Sequence, residues 1–123
     1  MLEHYKAPKN KFAMKDYDIH KHDDNPVCGD KVDVYIKLNE NVDASHRKID
    51  KMSFEGEGCV MCMATASILT EELVGKNVDE IKNFDTNYIL KLLNLKLTPT
   101  RIKCAMLSLV AVKKGIFEYE SKA

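Results

Sequence analysis

The sequence predicts an α+β domain, a three-stranded antiparallel sheet followed by, and packed against, helices. Three observations carry this. The first half alternates apolar and polar residues with period two, most clearly where Val32, Val34, Ile36 and Leu38 interleave with Asp33, Tyr35 and Lys37. After residue 60 the apolar spacing becomes helical. Between the halves stands Gly56-Glu57-Gly58-Cys59-Val60-Met61-Cys62, which closes a strand and opens a helix. With 123 residues the chain reads as one domain, 1–123, around a single modest core.

The elements follow in order. Residues 2–12 are basic and polar around Pro8 and read as a loose arm or one short helical turn. Asp16 to His22 alternates weakly, with Tyr17 and Ile19 on one face, and reads as a short edge strand. Lys21 to Pro26 reads as a charged loop ending in proline. Lys31 to Leu38 is the clearest strand, residues 39–45 a polar connection, and Arg47 to Glu55 the returning strand. In that last strand Met52 and Phe54 point inward, and Lys51, Ser53 and Glu55 outward.

A helix then runs from Val60 to Val74, with Cys62, Ala66, Leu69 and Leu73 on one stripe and Gly75 as its C-cap. Asn77, with Glu80 three residues on, opens a short helix, and Thr86 to Asn94 forms another. Thr98-Pro99 opens the last helix, with proline in the first turn, where its missing N–H costs nothing. This helix is expected to run to about Lys114, with Gly115 as a cap. Its apolar stripe is Ile102, Ala105, Met106, Leu109 and Val110. Cys104 lies roughly opposite that stripe, beside Leu107, Ser108 and Ala111, and should face a covering loop or a partner.

Composition excludes several classes. Formal net charge is zero, which gives no support to a nucleic acid or an anionic membrane as partner. The apolar runs fall far short of the ~20 residues that span a bilayer. The first residues lack the apolar core of a signal peptide, so a cytoplasmic protein is expected. Thiols stay reduced there, and four cysteines read as metal or redox chemistry before disulfides.

The candidate site draws on three stretches. Cys28-Gly29-Asp30 puts a thiol and a carboxylate two residues apart across a glycine. Cys59 sits at or near a helix N-terminus, and Cys104 lies in the first turns of the last helix, where a thiolate is favoured. Lys103 precedes Cys104 directly, and its ammonium would help keep that sulfur ionised. Soft sulfur holds zinc or iron, and an aspartate is the harder, weaker member of such a set. Cys62 completes a Cys-x-x-Cys with Cys59, but it falls on its helix's apolar stripe, which favours a packed thiol over a ligand or sulfur relay. A solvated strand face explains His20 and His22 better than a ligand role does, and His4 and His46 read as surface residues. Met61, Met63 and Met106 read as core filler.

Asn25-Pro26-Val27-Cys28-Gly29-Asp30, Phe54-Glu55-Gly56-Glu57-Gly58-Cys59, Ala64-Thr65-Ala66-Ser67 with Thr70-Glu71, and Arg101-Ile102-Lys103-Cys104-Ala105-Met106-Leu107 together resemble the IscU/SufU/NifU-N iron–sulfur scaffold family. The opening His4-Tyr5-Lys6-Ala7-Pro8-Lys9-Asn10 is also similar to that family's N-terminal segment. The resemblance implies a SufE/NifU-like fold in which Cys28, Asp30, Cys59 and Cys104 surround one exposed metal or cluster site. It implies a non-enzymatic scaffold that takes iron, and sulfur from a cysteine desulfurase, builds a transient [2Fe–2S] cluster and passes it to recipient apo-proteins. Cys104 is then the first candidate for sulfur acceptor, and Leu107 and Ala111 beside it leave room for a homodimer or desulfurase contact. IscU proper carries His before its last cysteine; Lys103 makes this chain more like SufU, whose members can hold zinc and act as desulfurase-activated sulfur acceptors. Cys62 stands where the family generally has a small residue, often serine.

Overall fold

The computed structural model describes residues 6–25, 29–39, 47–94 and 96–122. Strands β1 (Ile19–Asn25), β2 (Asp30–Leu38) and β3 (Ile49–Glu57) form an antiparallel sheet in that spatial order. Helices α1 (Val60–Glu72), α2 (Val78–Lys82), α3 (Thr86–Leu93) and α4 (Pro99–Lys122) follow. Helix α4 lies against β1 and β2, α1 lies against β3, and the two helices pack on each other. The shorter α2 and α3 dock on α4. The predicted class and order of elements are those observed.

The core sits between the sheet and these helices. Val32, Val34 and Ile36 of β2 and Phe54 of β3 are fully buried, and they meet Leu69, Leu73, Leu109, Val112 and Ile116 from the helices. Helix α1 is buried on nearly every side, with Met63, Ala64, Thr65, Ser67 and Thr70 as well as the expected stripe. A helix so enclosed has no polar face, so its small residues let neighbours approach from several directions.

Several boundaries differ from expectation, each for a physical reason. Strand β1 continues through Asn25, whereas Lys21 to Pro26 reads as a loop; of that stretch Pro26 lies outside the described residues. Its helix-facing positions are charged, which hides the alternation. Lys21 reaches Glu118 at 2.6 Å and Asp23 accepts from Lys114 at 3.2 Å, so α4 satisfies them. Ser53, expected outward, is buried. It lies opposite Tyr35, which is itself buried beneath a stacked His20 ring 4.5 Å away.

Helix α4 does not stop at Gly115 but runs on to Lys122. A Cβ at Gly115 would stand 2.7 Å from Ile19 Cγ2 and 3.3 Å from Lys21 Cβ. The glycine therefore serves close helix-to-strand packing rather than termination. Helix α1 is capped by Leu73, and Gly75, two residues on with φ +88°, carries the chain back so that its N–H donates to Ile49 O at 2.8 Å. Asn77 caps α2 as expected, with its side chain accepting from Asp79 N at 2.8 Å. Asp85 and left-handed Asn94 bound α3.

The N-terminal arm is not loose where it is described. Lys9 N–H donates to Ser67 Oγ at 2.7 Å, Asn10 Nδ2 donates to Thr70 Oγ1 at 3.1 Å, and Phe54 N–H donates to Asn10 O at 3.0 Å. These bonds strap residues 9–11 across α1 and β3.

Candidate metal centre

The site forms where β2 begins, β3 ends and α1 and α4 begin. Cys59 is the N-cap of α1, with extended backbone (φ −70°, ψ 165°) and its sulfur accepting the Cys62 N–H at 3.4 Å. An N-cap side chain in this geometry satisfies one of the N–H groups that a helix start leaves unpaired. Asp30 opens β2 and is 1% exposed. Its Oδ1 accepts the Cys59 N–H at 2.9 Å, and its Oδ2 lies 3.7 Å from Cys59 Sγ. One carboxylate oxygen thus holds the entry to α1 while the other stays beside the sulfur.

The two glycines before Cys59 make this fit. A Cβ at Gly58 would stand 2.5 Å from Asp30 Oδ1, so only a residue without a side chain lets the carboxylate reach the Cys59 amide. Gly56 has φ +153°, and a Cβ there would lie 2.2 Å from Lys31 O, so glycine is required by both backbone and space.

Cys104 comes from α4 and is 3% exposed. One ligand atom each from Asp30, Cys59 and Cys104 lies within 4.8 Å of the others. Tetrahedral zinc with sulfur bonds near 2.3 Å requires neighbouring sulfurs about 3.8 Å apart, so small side-chain movements suffice to close the set on one ion. Two soft sulfurs and a carboxylate suit zinc or iron rather than magnesium or calcium. Cys28 lies outside the described residues. Cys62 is fully buried and is not in this three-residue group. Lys103 is exposed beside Cys104.

Cys104 is covered within the chain, beside Asp30 and Cys59. The buried face of α4 carries Cys104, Ala105, Leu107, Ser108, Leu109, Ala111 and Val112, whereas Ile102, Met106 and Val110 are only partly buried. Ala105 and Leu109 of the expected stripe are buried, and the small Ser108 and Ala111 are buried in place of its larger members. Cys104 therefore faces the interior side of the site. Leu107 and Ala111 are 6% and 0% exposed, so they offer no surface for a dimer or desulfurase contact.

His20 and His22 stay outside the site. His20 Nε2 and His22 Nδ1 lie 2.9 and 3.2 Å from the same Asp33 Oδ1 on the outer face of the sheet. Partial burial works against the Asp33 charge, but these two hydrogen bonds and the field of the imidazoles hold its carboxyl below the usual range. Met63 is buried, and Met61 and Met106 pack at the core margin, as expected. His4 and His46 lie outside the described residues. Sequence reasoning missed the Asp30 bond to the Cys59 amide; its signal was Gly58, whose missing side chain makes the room.

Among the described residues, no helix is long and apolar enough to cross a membrane. The chain is 32% identical to the zinc-dependent sulfurtransferase SufU of Bacillus subtilis, over 98% of this chain and 88% of that protein. It is 31% identical to the iron–sulfur cluster assembly enzyme IscU of Drosophila melanogaster, over 99% of this chain and 77% of that protein. Its fold matches a SUF-system scaffold structure from Fervidobacterium islandicum AW-1 with a TM-score of 0.74 at 24% identity, covering 93% of this chain and 91% of the other. The NifU-like N-terminal domain model matches residues 1–123, and the chain belongs to that family.

Proposed function

We propose that this chain is an iron–sulfur cluster assembly scaffold, which takes iron and desulfurase-derived sulfur, holds a transient [2Fe–2S] cluster and transfers it to recipient apo-proteins. The observation that carries the reading is the convergence of Asp30, Cys59 and Cys104 from three separate elements to within 4.8 Å. The ligand set is Cys28, Asp30, Cys59 and Cys104, with Cys28 brought in by its place two residues before Asp30. The scaffold acts in the cytoplasm and breaks no C–S bond itself; that chemistry belongs to the partner desulfurase.

Each side chain has a separate task. Cys59, partly exposed at the α1 N-cap, is the sulfur that incoming reagents meet. Cys104 closes the interior side, and the Lys103 ammonium beside it favours negative charge on the site. Asp30 is the exchangeable member. A carboxylate is a harder and weaker partner for iron than thiolate, so it yields first to a recipient's cysteine. Val60, 37% exposed next to Cys59, and Lys103 form the accessible rim against which a desulfurase docks.

The second reading is a zinc-holding sulfur acceptor. It is favoured by the compactness of the three-atom set, which suits a single ion, and by the likeness to a zinc-dependent sulfurtransferase. Anaerobic incubation with ferrous iron, cysteine and a cysteine desulfurase separates the two. A coloured protein containing iron and sulfide, able to activate an apo-ferredoxin, is expected. A colourless protein that keeps one tight zinc and stimulates the desulfurase would replace the scaffold reading by the second.

A further inference from the structure

One thiol beside the site is not among its ligands. Cys62 is fully buried and lies outside the ligand group, yet its own amide N–H donates to the Cys59 sulfur. The pair occupies the N-cap and third position of α1, and neither thiol is in a disulfide. A disulfide needs Cβ atoms about 3.5–4.5 Å apart, closer than the roughly 5–6 Å of residues three apart on a helix. Cys59, an extended N-cap whose sulfur already lies 3.4 Å from the Cys62 amide nitrogen, stands outside the regular helix, so closure requires the first turn to adjust locally. One thiol is accessible at the helix end and the other is enclosed one turn below it.

We propose that Cys62 is the resolving thiol for a persulfide carried on Cys59, so that the chain itself supplies the electrons that turn sulfane sulfur into sulfide. This rests on the scaffold reading, in which sulfur arrives from a desulfurase either on Cys59 or by way of neighbouring Cys104. The Cys62 sulfur attacks Sγ of the Cys59 persulfide. A Cys59–Cys62 disulfide bond forms, and the bond from Cys59 Sγ to the terminal sulfur breaks. That terminal sulfur leaves as hydrosulfide and takes up the Cys62 proton to become hydrogen sulfide. It is reduced by two electrons while the two cysteine sulfurs are oxidised by two. A small or protein dithiol reductant then restores both thiols by exchange. A cluster needs sulfide rather than sulfane sulfur, so this step would sit between sulfur delivery and assembly. Cys59 becomes available as a ligand again only after reduction.

The test uses the full chain without external thiol. Inorganic polysulfide loads cysteines without a desulfurase, and trypsin releases residues 52–76 as one peptide that contains Cys59 and Cys62 alone among the cysteines. In the wild type this peptide should be lighter by about 2 Da, with release of hydrogen sulfide at least about tenfold faster than in Cys62→Ser. In Cys62→Ser it should instead be heavier by about 32 Da, the mass of a retained persulfide sulfur. Oxidised glutathione gives a second measurement that needs no variant: the wild-type peptide should again lose about 2 Da rather than keep a glutathione adduct. A lasting persulfide or a lasting glutathione adduct on wild-type Cys59 would overturn the proposal. Repeating the first experiment with a cysteine desulfurase that has been persulfidated beforehand and freed of cysteine should give the same light peptide. If only this arm leaves both this peptide and the tryptic peptide 104–113, which carries Cys104, unmodified, the scaffold reading falls and the resolving pair stands.

Discussion

The two helix-borne cysteines of the site are placed by different means. Cys59 is set by its own neighbours in sequence: Gly56 turns the strand, Gly58 leaves room for Asp30, and the Cys62 amide binds the sulfur. Cys104 is set by packing at a distance. It reaches the site only because α4 lies close against both α1 and β1, and Gly115, three turns further along, permits the contact with β1. The difference teaches that one half of the centre should tolerate disturbance of the core and the other half should not.

The strongest way to sharpen this is to replace each sulfur in turn. Cys59→Ser and Cys104→Ser should each weaken zinc or iron binding by more than about 100-fold, beyond what loss of an outer-shell partner costs. Stability should separate them. Cys104 is enclosed, and a serine hydroxyl there would cost about 1–3 kcal/mol, whereas the half-exposed Cys59 should cost less. Metal titration by competition with a chelator, and urea unfolding of the metal-free proteins, read the two effects. Equal stability losses would remove the contrast.

A smaller effect follows from Gly58→Ala. The new methyl group meets the Asp30 carboxylate, which must turn away from the Cys59 amide. Losing that buried charge-assisted bond should destabilise by about 1–3 kcal/mol. Metal affinity should fall about tenfold, the lower end for an outer-shell change. Asp30→Asn, which keeps the shape and an acceptor oxygen, should retain most of the stability but not the affinity.

Gly115→Val addresses the other half. Overpacking against Ile19 should cost about 1–3 kcal/mol and move α4 off the sheet. Metal affinity should drop severalfold through Cys104, while the rate at which Cys59 reacts with a small alkylating reagent stays close to wild type. A comparable change in Cys59 reactivity would show that the two placements are coupled.

The least effect is expected from Asp33→Asn on the outer face of the sheet. The Asp33 carboxyl is held below its ordinary value of about 3.9, so its contribution to stability is present above that pH and is lost as pH falls through the lower folded value. The variant should lose a small part of the acid-side slope of stability below about pH 4, since the Asp33–histidine cluster is partly exposed and screened. Binding of metal at neutral pH should not change.

Much of the fold was legible because backbone and solvent dictate it locally. The alternation of β2 needs only one face toward the core, and Pro99 and Asn77 open helices by the chemistry of unpaired N–H groups. The errors share a cause. Charged Lys21 and Asp23 concealed half of β1 because their partners, Glu118 and Lys114, lie more than ninety residues away. Gly115 looked like a stop because the residue it makes room for, Ile19, is equally remote. On α4, Ala105 and Leu109 of the expected stripe are buried, but Ile102, Met106 and Val110 give way to the small Ser108 and Ala111.

The sequence by itself determined the strand-then-helix order, the N-terminal seat of Cys59 and the residue types able to bind a soft metal. These depend on neighbours within a few positions, where spacing and side-chain chemistry are sufficient. Only the tertiary structure decided that Asp30 turns inward to hold the Cys59 amide, that Cys104 faces the interior side of the site, and that Cys62 is enclosed directly beneath Cys59. Those outcomes depend on how closely α1, α4 and the sheet approach one another. That distance is set by side-chain volumes on elements far apart in the chain, and no local pattern records it.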